Sequence, residues 1–89
     1  MRQIRRSSRF KKDFKRAGKQ KKDLKLLPLI IQKLIKQAQL DKRYGDHPLS
    51  GVLKGYRELH LEPDWLLIYK ITEDEIRLAR LGSHSELFD

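Results

Sequence analysis

The chain contains no cysteine. Disulfides, thiolate metal sites and thiol nucleophiles are therefore excluded. It carries a single tryptophan, and none of its three histidines falls in the first half. No apolar run approaches the roughly 18 residues that suggest a membrane span. No secretory pattern is seen, so a cytoplasmic protein without a membrane partner is expected. Acids are scarce in the first half. Residues 1–43 hold 16 lysines and arginines against 3 acids, a net of +13, while residues 44–89 hold 5 against 9, a net of −4. The formal charge of +9 thus belongs to the first half. Cations clustered in this way attract polyanions by counterion release, whatever the base sequence. The blander reading is that a lysine-rich helix is only a solvated face.

Eighty-nine residues make one small domain, residues 1–89, with a modest core. Residues 2–6 suit a short strand with Ile4 inward. Ser7 or Ser8 can cap a helix. In it Phe10, Phe14 and Ala17 share one face, and Gly18 is a natural terminator. Leu24, Leu27, Ile31, Leu34 and Ala38, supported by Leu26, Ile30 and Ile35, predict a second helix. Pro28 either kinks that helix or marks where its regular part begins. Residues 41–54 read as a loop broken by Gly45, Pro48 and Gly51. Tyr56–Leu61, Trp65–Ile71 and Ile76–Leu81 then read as three strands joined by short turns. Together they form an antiparallel meander. The order is β-α-α-β-β-β, an α+β architecture with both helices packed on one face of the sheet.

Imidazole is the side chain best suited to move protons near neutral pH. Cleaving RNA through its own 2′-hydroxyl needs a base for the hydroxyl proton, an acid for the leaving 5′-oxygen and a cation for the crowded phosphorane. His47, His60, Asp64, Arg80 and His84 supply such a set, and it requires no metal. His60 ends the first meander strand and Asp64 sits just past the hairpin, so both fall at one edge. Arg80 ends the third strand, which runs parallel to the first, and His84 follows shortly after. His47 comes from a loop able to fold over the same edge. Other readings stand beside this one. A histidine in a small domain is often a surface or structural residue. Three histidines with an aspartate can bind zinc, yet the spacing His-x12-His-x23-His matches no tight metal motif. Trp65 is core by default, but next to Asp64 it can stack on a base. Arg80 can merely pair with Glu58 or Glu62. Phe88 can lock the tail or act as a stacking platform.

The motifs Asp46-His47-Pro48-Leu49, Lys54-Gly55-Tyr56-Arg57, His60-Leu61-Glu62-Pro63-Asp64-Trp65 and Gly82-Ser83-His84, with terminal Leu87-Phe88, span residues 46–88. Through them the chain resembles the YafQ-like branch of the RelE/ParE superfamily, the toxins of bacterial type II toxin–antitoxin modules. The first half is similar only in its helical, lysine-rich character. The resemblance implies a RelE-like fold and a ribosome-dependent endoribonuclease. Such a toxin cuts mRNA in the ribosomal A site and halts translation, with no metal or other cofactor. His47, His60, Asp64 and His84 would then be the acid–base group, with base and acid roles unassigned. Arg80 would be the phosphate stabiliser. Trp65, Phe88, Lys54 and Arg57 would bind substrate. A cognate antitoxin is implied as partner, with operator DNA reached only through it, in a bacterial cytoplasm. RelE itself uses lysine, arginine and tyrosine, so the histidine set marks the branch. Two competing readings remain. A non-catalytic basic RNA- or ribosome-binding module would not need the histidines, and the gyrase-poisoning ParE line generally lacks them.

Overall fold

In the computed structural model, which describes residues 2–88, strand β1 (Gln3–Arg6) leads into helix α1 (Ser8–Lys19). Ser7 is the N-cap. Its hydroxyl accepts the Phe10 amide at 2.9 Å, satisfying one of the orphan donors of the first turn. Helix α2 spans Leu26–Ile35. Its regular part begins just before Pro28, and in a first turn a missing N–H forfeits no intrahelical bond. Both helices close alike. Lys21 (φ 59°) and Gln37 (φ 55°) adopt left-handed backbone. The Lys21 and Lys22 amides return to Gly18 and Ala17, and the Gln37 and Ala38 amides to Leu34 and Lys33. This is the Schellman closure, with lysine and glutamine where glycine is usual. Gly18 is therefore not the terminator, because α1 runs past it. Leu24 precedes α2 and Ala38 follows it. A left-handed L-residue costs about 1–2 kcal/mol, of which glycine's chain entropy returns a part. Lys21→Gly and Gln37→Gly are each expected to stabilise the fold by roughly 0.5–1 kcal/mol, read as a higher urea midpoint.

The remaining strands are β2 (His47–Pro48), β3 (Arg57–Glu62), β4 (Trp65–Ile71) and β5 (Glu75–Gly82). With β1 they form a five-stranded sheet in the order β1-β5-β4-β3-β2. The expected meander is β3-β4-β5, antiparallel throughout, and β1 joins β5 in parallel. Two short elements add to the expected order. The edge strand β2 arises inside the supposed loop, where Pro48 needs no ladder donor. Helix α3 (His84–Phe88) arises from a capping box. The Glu86 amide donates to Ser83 Oγ at 3.2 Å, and the Ser83 amide to Glu86 Oε1 at 2.9 Å.

Both long helices cover one sheet face. Phe10, Ala17, Leu27, Ile30 and Leu34 pack there on Leu59, Trp65, Leu67, Tyr69, Ile76, Leu78 and Leu81. Burial of each large apolar side chain contributes about 1.5–3 kcal/mol. Phe14 departs from expectation, being 40% exposed. The inward line of α1 runs through Phe10, Asp13 and Ala17, which leaves Phe14 at the rim. The other sheet face is floored by Leu66 and Ile68, both buried. In register, Ile68 lies between Glu58 and Arg80, and Leu66 between His60 and Gly82.

Candidate active site

Strands β2 and β3 and helix α3 each deliver one histidine to this second face. The imidazoles form a row. Ring centroids are 6.4 Å apart for His47 and His60 and 5.9 Å for His60 and His84, and Phe88 continues the row 6.1 Å beyond His84. Glu58 sits behind it, only 6% exposed. Its Oε1 lies 3.6 Å from His47 Nε2 and 3.9 Å from His60 Nε2. The register explains the grouping. His47 is the cross-strand partner of Glu58, and His60 is two residues along the same strand, hence on the same face.

The loop before β2 fixes the first ring. His47 Nδ1 is 2.7 Å from Gly45 O. A carbonyl only accepts, so Nδ1 carries hydrogen and Nε2 is left facing Glu58. Gly45 has φ 53°, and a Cβ there would lie 3.2 Å from His60 Nδ1. Glycine lets the loop pass over that ring. Asp46 ties the loop to the sheet. It accepts the Tyr69 hydroxyl at 2.6 Å and Arg57 Nε and Nη2 at 3.2 and 3.3 Å. Burial first, and then the bond to Asp46, push the Tyr69 hydroxyl well above its ordinary pKa.

Asp64 fixes the third ring. Its Oδ1 accepts the His84 backbone amide and lies within bonding distance of His84 Nδ1, both at 3.1 Å. These two bonds, the amide first, hold Asp64 below the usual carboxylate range. The same carboxylate thus caps α3 and turns the imidazole Nε2 away from itself. Glu86 is also held low, chiefly by the Ser83 amide and then by Gln20. Gln20 and Arg16 each reach Glu86 at 3.0 Å, tying α3 to α1. A depressed carboxylate stabilises the fold above its unfolded pKa and loses that contribution as pH falls through the folded value. The α3 amides should therefore lose exchange protection below about pH 4, before the core strands do, as amide hydrogen exchange would show.

The structure thus brings His47, His60, His84 and Asp64 together and leaves Phe88 open beside them, 45% exposed. Trp65 needs correction as a base-stacking residue. It is 1% exposed and belongs to the core, so neither ring face is open to a nucleotide. Arg57 pairs in register with Tyr69 on the helix-covered face and is held by Asp46, its side chain 38% exposed. Lys54 is exposed after a short 3-10 turn, Gly51–Leu53. Arg80 pairs with neither Glu58 nor Glu62. Its Nε and Nη2 donate to Asp13 at 2.8 and 3.3 Å.

Two site residues escape a reading by motif. Glu58 is visible only as the residue two before His60 on one strand face. Asp13 shows as a lone acid on the apolar stripe of α1, three residues after Phe10 and four before Ala17. Glu58, His60 and His84 each offer a ligand atom, all within 4.8 Å of one another. A carboxylate with two imidazoles suits zinc or copper. Histidine spacing alone does not reveal this set, because folding assembles it.

A meander backed by helices, with this row at its edge, places the chain among the RelE-like toxins. It superposes on YafQ in the Escherichia coli DinJ–YafQ complex with a TM-score of 0.92 at 44% identity, covering 100% of both chains. A Helicobacter pylori toxin described as metal-bound gives a TM-score of 0.92 at 49% identity, over 99% of this chain and 100% of that one. The mRNA interferase toxin YafQ of Escherichia coli K12 is 46% identical over 88 residues, 98% of this chain and 96% of that protein. The chain belongs to the YafQ family: the family model, a bacterial toxin of type II toxin–antitoxin systems, matches residues 2–89.

Proposed function

We propose that the chain is a ribosome-dependent endoribonuclease that cuts mRNA in the ribosomal A site by metal-independent acid–base catalysis. The observation that carries this reading is the row of three imidazoles over one sheet face, each ring held by a separate element. A base removes the 2′-hydroxyl proton, and O2′ bonds to phosphorus as the P–O5′ bond breaks. An acid then delivers a proton to O5′, leaving a cyclic phosphate and a 5′-hydroxyl. His84 presents Nε2 to the substrate from one side. Asp64, kept ionised, orients that ring and steadies its charged form, much as a triad aspartate does. His60 and His47, beside the Glu58 carboxylate, are the proton partner on the other side. Arg80 meets the charge on the phosphorane, and Phe88 offers a ring for a base.

The ribosome supplies the polyanion that the first half suits. Arg9, Lys11, Lys12, Lys15 and Lys19 are exposed on α1, whose single acid, Asp13, is buried. The exposed charge of that helix is therefore wholly positive. The proposed restraint on the toxin is a cognate antitoxin in the bacterial cytoplasm, which would also carry it to operator DNA. To test the reading, purified chain is incubated with mRNA alone and with programmed ribosomes, and 5′ ends are mapped. Ends confined to the A-site codon and dependent on ribosomes support it. Equal cutting of naked RNA, or none on ribosomes, refutes it. Chain stripped of transition metal with EDTA and then desalted should cut as before, in buffer that keeps the Mg²⁺ the ribosome needs. Added Zn²⁺ or Cu²⁺ should inhibit cutting, because an ion at Glu58, His60 and His84 occupies the lone pairs that proton transfer needs.

A further inference from the structure

Asp13 is the only acid among residues 1–22, is 3% exposed, and accepts from four donors. Arg80 Nε and Nη2 reach it at 2.8 and 3.3 Å, the Leu81 amide at 3.0 Å and Arg16 Nη2 at 3.2 Å. Three of these bonds converge on one irregularity in β5. The pairing with β4 passes from Tyr69↔Leu78 to Ile68↔Arg80, so Ala79 is an extra residue. Without that bulge, Ala79 would face Ile68 and Arg80 would face Leu67, beneath the helices. The bulge moves Arg80 into the row of Ile68 and Glu58, on the histidine face. Such a bulge leaves the extra residue's backbone unpaired, and Ser7 Oγ donates to Ala79 O at 2.7 Å. Past the end of β1, the outward Leu81 amide and carbonyl are taken by Asp13 and Arg16.

We propose that Asp13 is a positioning residue for the cleavage reaction, locking both the bulge and the guanidinium so that Arg80 meets the scissile phosphate. The inference rests on the nuclease reading above, in which Arg80 stabilises the phosphorane. The bonds to Asp13 occupy Nε and Nη2, so Nη1 remains for a phosphate oxygen. A charge-assisted fork of this kind fixes the guanidinium plane as well as its place, and a misplacement of about 1 Å can cost on the order of 10²-fold in rate. Asp13 also stands on the cationic helix, so the element that docks on the polyanion carries the group that aims the phosphate ligand.

The test is a double-mutant cycle on single-turnover cleavage of ribosome-bound mRNA. Asp13→Asn and Arg80→Ala are compared singly and together, with melting curves for each. With its oxygen in the Oδ2 place, asparagine still accepts the Leu81 amide and Arg80 Nε, but it turns an amide donor toward Arg80 Nη2 and Arg16. Asp13→Asn should slow cleavage by roughly 10²-fold in the parent. In the Arg80→Ala background it should add less than about twofold, because the group it acts through is gone. The cleavage step should suffer rather than ribosome affinity. Equal losses with and without Arg80 overturn the positioning role and leave the nuclease reading intact. Parental cleavage by Arg80→Ala refutes the phosphate role of Arg80, and this proposal with it. If Asp13→Asn does not fold, Asp13→Glu keeps the charge and shifts the fork by one methylene, and the same non-additivity is required of it.

Discussion

Replacing His84 by alanine will slow cleavage of ribosome-bound mRNA by roughly 10²–10⁴-fold, the range for a general acid or base, and His60→Ala will fall in the same range. The fold should scarcely respond. The His84 side chain is 54% exposed, and Asp64 and Ser83 cap α3 through backbone amides that alanine retains. Melting should therefore report a change within roughly 0.5 kcal/mol. Rates from single-turnover quench experiments then read chemistry alone. The pH profile separates the two roles. In the parent, one limb rises as the base loses its proton and the other falls as the acid loses its own. Each alanine variant should lose a different limb. If both variants cut as fast as the parent, the imidazole row is a surface feature and the catalytic reading fails.

The legible part of this fold is where apolar spacing persists over several turns or strands. Trp65–Ile71 is apolar on both alternations, which marks a central strand, and it is one: Leu67 and Tyr69 face the helices while Leu66 and Ile68 floor the histidine face. Elements shorter than a period leave no such trace. Strand β2 is two residues long, and α3 has five. For α3 the readable signal is chemical, Ser83 followed three residues later by Glu86. The candidate site is legible to the same degree. Strand-end positions predict that His60, Asp64 and His84 approach one another, and they do. Counting along strands cannot show that β5 bulges at Ala79, so neither the true face of Arg80 nor its buried partner Asp13 is foreseeable from the meander alone. Glu58 is overlooked for a related reason. Its role comes from cross-strand pairing with His47, a register set by the Asp46 tether rather than by any local pattern.

The two aromatics flanking the site should separate cleanly. Trp65→Ala removes a side chain that is 1% exposed, and such a truncation costs about 3–5 kcal/mol. Domains of this size are typically stable by only about 5–15 kcal/mol, and each kcal/mol is worth about 4–8 °C in melting temperature. A fall of roughly 12–40 °C is expected, and lost activity in that variant would follow from lost fold. Trp65→Phe is the informative change. Among the described residues the indole Nε1 is buried with no hydrogen-bond partner, so phenylalanine forfeits no bond and removes an unpaired donor. Its cost should stay below about 1.5 kcal/mol, with cleavage intact. Phe88→Ala should do the reverse. Its ring is 45% exposed beside His84, so melting should hardly move. Substrate affinity should drop by about 5- to 150-fold, the equivalent of the 1–3 kcal/mol that one base–aromatic stack provides. Measured side by side, a Trp65→Phe variant that melts normally but cuts poorly would return Trp65 to the substrate, and a Phe88→Ala variant that cuts normally would remove Phe88 from it.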